Sequence, residues 1–178
     1  MTCLRVSVAG LALFLLLSPA LAQRQRDPLT APEIDQLRDT ALEPDLRLKL
    51  YVGFARARLA ALEQARSDPK TAERGQVTHD RLQDFLDVYD ELNDNIDTYV
   101  ERKSDLRKVL KAVIEGDTEF QAKLRALRDD ATAKKEETAQ YEFLLSNALD
   151  TLDSSVQDHR DLLTEQEEAA KRKKPAKH

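Results

Sequence analysis

A chain of 178 residues with four glycines and six prolines has few places to turn, which favours a small number of long elements. Charged residues make up 34% of it and aromatics 5%, with no tryptophan, so a thick interior is excluded and any core is a narrow aliphatic seam. The formal net charge is −5, and the single cysteine, Cys3, excludes an internal disulfide.

Residues 1–22 differ in composition from the rest. Arg5 gives a positive start, Val6 to Leu17 is an apolar run, and Ser18-Pro19 break it before Ala20-Leu21-Ala22, the small-x-small pattern that signal peptidase reads. This predicts a signal peptide cleaved after Ala22 and a periplasmic or secreted mature chain. The apolar run is shorter than the ~20 residues that cross a bilayer, and no later stretch is uncharged enough, so no transmembrane segment is expected in the mature chain. Gln23 stands where a lipoprotein would need cysteine, which argues against a lipid anchor.

Without Arg5 the mature chain carries 27 basic and 33 acidic residues. Five of the basic ones fall in the last eight positions, so an acidic body precedes a basic tail. Residues 23–30 read as a disordered leader. Thr30 with Glu33 forms a capping box and Pro32 sits in the first turn, which predicts a helix over 31–42. Pro44 opens a second helix to about residue 66, with Leu46, Leu50, Phe54, Ala57, Ala61 and Ala65 inward and Tyr51, Leu59 and Leu62 widening the stripe. Ser67 to Gln76, with Pro69 and Gly75, reads as a loop.

The third helix, over 77–115, carries the strongest periodicity. Steps of three and four from Leu82 reach Phe85, Tyr89, Leu92, Ile96, Tyr99, Lys103, Leu106, Leu110 and Val113, a heptad seam with one polar member. Lys103 is therefore expected to be buried, fixing register against Asp129 and Asp130. Gly116 suits a C-cap and Asp117 an N-cap, which predicts a reversal there. A fourth helix then spans 118–168, weak from Arg128 to Gln140, where only alanines face inward, and residues 169–178 form a disordered basic tail. The expected fold is all-α: an elongated antiparallel helical hairpin or coiled coil with the N-terminal helices packed on its open end, a three- to four-helix bundle over 31–168.

Opposite the seam, Asp80, Asp84, Asp87, Glu91, Asp94, Glu101 and Asp105 form an acidic ridge. Such a face first of all keeps a coiled coil soluble, and secondly offers a surface to cations or a basic partner. The tail residues Lys171, Arg172, Lys173, Lys174 and Lys177 solubilise the chain and suit weak contact with anionic surfaces by counterion release, but no interleaved aromatics support specific nucleic-acid recognition. His79 and His159 could approach at the hairpin's open end, yet they fall short of a metal set. Ser154-Ser155 with His159 is the one candidate nucleophile cluster, and no nucleophile elbow or phosphate loop accompanies it. No catalytic, cofactor-binding or metal-ligating residues are expected.

Leu29-Thr30-Ala31-Pro32-Glu33 resembles the Leu-Thr-x-x-Gln signature of the Spy/CpxP-like periplasmic chaperones, with Glu in place of Gln, and Leu163 to Glu167 repeats the string near a helix end. That resemblance implies a dimeric cradle for unfolded clients. The residues themselves point to an exported, non-catalytic binding or scaffold protein of the cell envelope, with a holdase-type chaperone as the alternative. A homodimer is expected, docked tip to tip to cover Val100, Val109 and Ile114.

Overall fold

The computed structural model describes residues 27–130 and 134–173. The signal peptide, the start of the leader and the tail lysines Lys174 and Lys177 lie outside the described residues. Among those described, 83% are helical and none is in a strand, so the protein is an all-α helical bundle. Six helices follow in order: α1 (Ala31–Asp39), α2 (Pro44–Ser67), α3 (Arg74–Glu101), α4 (Arg107–Arg128), α5 (Lys135–Thr138) and α6 (Glu142–Lys173).

α1 begins where the capping box places it. The Thr30 amide and hydroxyl both donate to Glu33 Oε2, at 2.8 and 2.9 Å. The same carboxylate takes two bonds from the Arg58 guanidinium of α2, at 2.9 and 2.7 Å, and Arg58 also reaches the Pro28 carbonyl. A short helix is marginal alone, so this clamp and the buried Leu37 hold α1 on α2.

α2 starts at Pro44, whose missing N–H is harmless in a first turn. Its buried stripe runs through Leu48, Tyr51, Val52, Ala55, Leu59 and Leu62. That stripe is rotated from the expected one: Phe54 is buried, but Leu46 and Ala57 face outward. α3 begins at Arg74, inside the expected loop, and Gly75 is needed there because a Cβ would lie 2.5 Å from Gln140 Oε1 and 2.8 Å from the Glu137 carbonyl.

The long third helix is not continuous. α3 ends at Glu101, and Arg102 to Leu106 carry the chain into α4. Lys103 sits at φ 56°, in the left-handed region, with its side chain exposed, so it is a turn residue and not the buried register residue. The Ser104 amide bonds back to the Tyr99 carbonyl at 3.0 Å. Gln166 of α6 closes the turn, accepting from the Leu106 amide at 2.8 Å and donating to the Ser104 carbonyl at 3.2 Å. Asp129 pairs with Arg128 and Asp130 with Arg66, so neither serves Lys103.

Gly116 and Asp117, expected to reverse the chain, lie buried in the middle of α4. Glycine is there because α2 comes close: a Cβ would meet Val52 Cγ1 at 2.9 Å. The chain turns instead after Arg128, and α5 and a short link lead into α6.

The four long helices make two antiparallel hairpins, α2 with α3 and α4 with α6, packed as one bundle in which α2 lies beside α4 and α3 beside α6. Ion pairs Asp45–Lys108, Arg56–Glu119 and Glu63–Lys123 advance together along α2 and α4, which shows that pair to be parallel. α3 and α4 meet across the core, with the Phe85 and Phe120 rings edge to face at 5.5 Å. Val109 is fully buried and Ile114 half-buried, so neither supplies the exposed tip surface expected of them. Leu42, Leu46 and Val100 are the exposed apolar residues at one end of the bundle, and Phe143 is exposed at the other.

Candidate functional site

Three helices each carry a polar residue at a seam position, and the bundle brings the three together. In α4 the series Leu106, Leu110, Val113, Asp117, Phe120, Leu124 puts Asp117 in the core, where its residue exposure is zero. A carboxylate stripped of water is costly unless its oxygens are bonded. Here both are: the Tyr89 hydroxyl of α3 donates to Oδ1 at 2.8 Å, and His159 Nδ1 of α6 lies 2.9 Å from Oδ2. With a carboxylate as acceptor the imidazole Nδ1 is the donor, which fixes the ring orientation.

Burial, the Asp117 charge and the bond to Asp117 all push the Tyr89 phenol far above its usual range, while the adjacent Ser155 hydroxyl acts weakly the other way. Tyr89 is therefore a neutral donor throughout the physiological range. Beneath it Phe85 stacks at 5.7 Å and Phe120 stands edge-on at 6.3 Å, which keeps water from that side. Asn93 Nδ2 donates to Ser155 Oγ at 3.2 Å, one helical turn along from Tyr89. The network runs in one direction, from Asn93 to Ser155 and from Tyr89 and His159 to Asp117, and the Asn93 Oδ1 atom is left buried without a hydrogen-bond partner.

His159 is 4% exposed and lines a cavity of about 340 Å³ between α3 and α6. Ser155 opens on the same cavity, but its hydroxyl is engaged with Asn93, and no hydrogen bond among the described residues joins it to the imidazole. A larger cavity, about 440 Å³, lies between the ends of α2 and α4. There Arg74 Nε is buried without a hydrogen bond, while Arg66 is tied to Asp130 and Glu137, and Lys123 to Glu63.

The two histidines do not approach. His79 is near the start of α3 beside Asp80, whereas the level of His159 is set by Asn93 and Ser155. At ~1.5 Å per residue the two lie on the order of 25 Å apart along the bundle. Among the described residues no three His, Cys, Asp or Glu side chains gather into a metal-ligating group.

Six members of the acidic ridge, Asp80, Asp84, Asp87, Glu91, Asp94 and Glu101, lie along α3. Asp105 does not, because it falls in the turn before α4, where Arg107 holds its carboxyl down at about 2. Part of the ridge is internally bonded, with Gln76 donating to Asp80, Arg81 to Asp84 and Gln83 to Asp87. Partial burial and then neighbouring carboxylates raise Asp90 and Glu91, the mark of crowded like charges. Lys171 and Arg172 are exposed on the last turns of α6, where Arg172 meets Glu168 at 3.1 Å.

Both Leu-Thr strings have local tasks. Glu33 of the first caps α1 and clamps Arg58, and Gln166 of the second closes the turn into α4. No family model matches the chain, and no curated protein or solved structure matches it. The sequence marks Tyr89 as a seam residue and Asp117 as a helix cap and gives neither a polar partner, and Asn93 stands outside the seam; the available signal was the place of Asp117 in the apolar spacing from Leu106 to Leu124.

Proposed function

We propose that the protein is an exported, non-catalytic binding or scaffold protein of the cell envelope, acting outside the cytoplasm after removal of residues 1–22. The observation that carries this reading is the use made of the reactive groups. Asp117, Tyr89 and His159 hold three helices together inside the bundle, and most of the charged side chains of the ridge lie along the outer face of α3, which suits a protein partner. No described helix is long and apolar enough to cross a membrane. The α3 ridge is the face offered to a basic partner, and Lys171 and Arg172 suit weak contact with anionic surfaces. A second copy docked through Leu42, Leu46 and Val100 would cover the apolar end of the bundle.

The test sets a pulldown from envelope extract beside an aggregation assay with unrelated denatured proteins. One or two defined partners, lost on neutralising Asp87, Glu91 and Asp94, is the expected result. Broad suppression of aggregation without defined partners would replace the scaffold reading with the holdase one. Mass spectrometry of secreted material should find Gln23 at the N-terminus, and a retained Arg5 would overturn the export reading.

A further inference from the structure

The bundle takes hold of the chain at Asp27 and Pro28. The Leu29 amide donates to Asp27 Oδ1 at 3.0 Å, and Arg58 of α2 holds the Pro28 carbonyl at 2.9 Å. Asp27 is exposed, and it lines one cavity with Arg81 and Asp84 of α3. It also acts on Glu91, which is raised by burial and then by the charges of Asp94 and Asp27. The fold therefore begins on the flank of α3 that carries the acidic ridge. Between Asp27 and the cleavage point after Ala22 stand four residues, Gln23, Arg24, Gln25 and Arg26, which span at most about 13 Å.

Cleavage at that point makes Gln23 the first residue, and the side chain of a first-position glutamine can consume the α-amino group that cleavage creates. Closing the amine onto Cδ forms a five-membered ring. The two groups belong to one residue, so no encounter with a second molecule is needed. Gln25 cannot react in this way, because its nitrogen is already part of a peptide bond. Asparagine in first place would need a strained four-membered ring, which confines the chemistry to glutamine at position 23.

We propose that Gln23 of the mature chain is a modification site, converted to pyroglutamate; this rests on the removal of residues 1–22 proposed above. The unprotonated α-amino nitrogen attacks Cδ, the N–Cδ bond forms and the Cδ–Nε2 bond breaks. The side-chain nitrogen leaves as ammonia, taking one proton from the attacking amine. Nothing is oxidised or reduced, and no co-reactant enters. The product is a neutral lactam, so the positive charge of the new terminus is lost. That charge stands four residues from Asp27, beside the ridge, so its loss leaves the α3 face more negative toward a basic partner. An aminopeptidase, which needs a free terminal amine, can no longer trim the residues before Asp27.

Mass spectrometry of the full mature chain, recovered from secreted or envelope material, tests it. Proteolysis on the amino side of Asp27 releases the peptide 23–26 for fragmentation. The chain should begin at position 23, its mass should fall short of the sequence value by one ammonia, and the fragments should place the loss on Gln23 and not on Gln25. Stepwise N-terminal sequencing should be blocked. A Gln23→Asn chain, exported and purified in parallel, should keep its full mass and be sequenced from its first residue. A chain that begins at Gln23 with its full mass, both fresh and after incubation at neutral pH, would overturn the modification alone. Loss of ammonia from Gln25, or from the Gln23→Asn chain to the same extent, would overturn it too. A chain that begins anywhere else would end the cleavage reading, and the modification with it.

Discussion

At the scale of single residues, Asp117 carries the most consequence. Its two partners are buried with it, so removing the carboxylate strands the Tyr89 hydroxyl and His159 Nδ1 rather than merely deleting two bonds. Asp117→Leu should therefore destabilise the protein by about 3–5 kcal/mol. Tyr89→Phe, Asp117→Leu and His159→Leu together should recover most of that loss, since replacing every member of a buried polar group by apolar residues is often neutral. Urea unfolding of the single and triple variants at neutral pH compares them, and a triple variant no better than the single one would show that the network contributes net stability. Nothing about Asp117 alone announced this in the sequence. Beside Gly116 it looked like the cap of a new helix, and its place in the four-and-three spacing from Leu106 to Leu124 was the competing sign.

At the scale of elements, the starts of α1 and α2 were legible and the later breaks were not. Thr30, Glu33 and Pro44 act locally, so their chemistry can be read without knowing the fold. The break at Arg102 to Leu106 depends on Gln166, sixty residues away in the chain from Leu106, and the heptad phase runs on across it, so periodicity sees one helix. Gly116 gave the opposite error, because its reason is the Val52 methyl of another helix. Gly116→Ala gains roughly 1 kcal/mol of helix propensity but must displace that methyl, and overpacking at a stiff β-branched side chain costs about 1–3 kcal/mol. The variant should melt lower than the parent by calorimetry, and a higher melting point would mean that α2 and α4 separate freely.

Beside the buried Leu37, α1 is fastened through the Glu33 carboxylate. Burial works to raise Glu33, but the bonds from Arg58 and Thr30 prevail and hold it below its ordinary value of 4.5. A lowered carboxyl contributes stability that is present above the unfolded value and lost as pH falls through the folded one. Hydrogen exchange at residues 31–39 should accordingly accelerate below about pH 4.5, where carboxylates such as this take up protons, and Glu33→Gln should reproduce that acceleration at pH 7. Equal acceleration in α3 would show that α1 does not open by itself.

At the scale of the whole molecule, the bundle is two hairpins joined by a short turn that rests on a residue in an unfavourable conformation. Lys103 occupies the left-handed region without being glycine, at a cost of about 1–2 kcal/mol. It also falls in phase between Tyr99 and Leu106, so an uninterrupted helix over α3 and α4 would complete the seam. Straightening that turn carries α4 and α6 away from α2 and α3, and two copies can then exchange hairpins, each rebuilding the bundle with its neighbour's half. The protein thus holds a ready route to domain swapping. Lys103→Ile, disfavoured at positive φ and apolar at a seam position, should shift the chain toward an interlocked dimer on concentration, seen by light scattering. Lys103→Gly, which relieves the turn, should form no interlocked dimer under the same conditions and unfold at higher urea. A Lys103→Ile protein that associates no more than its parent at every concentration would mean that the Gln166 clamp alone holds the two halves of one chain together.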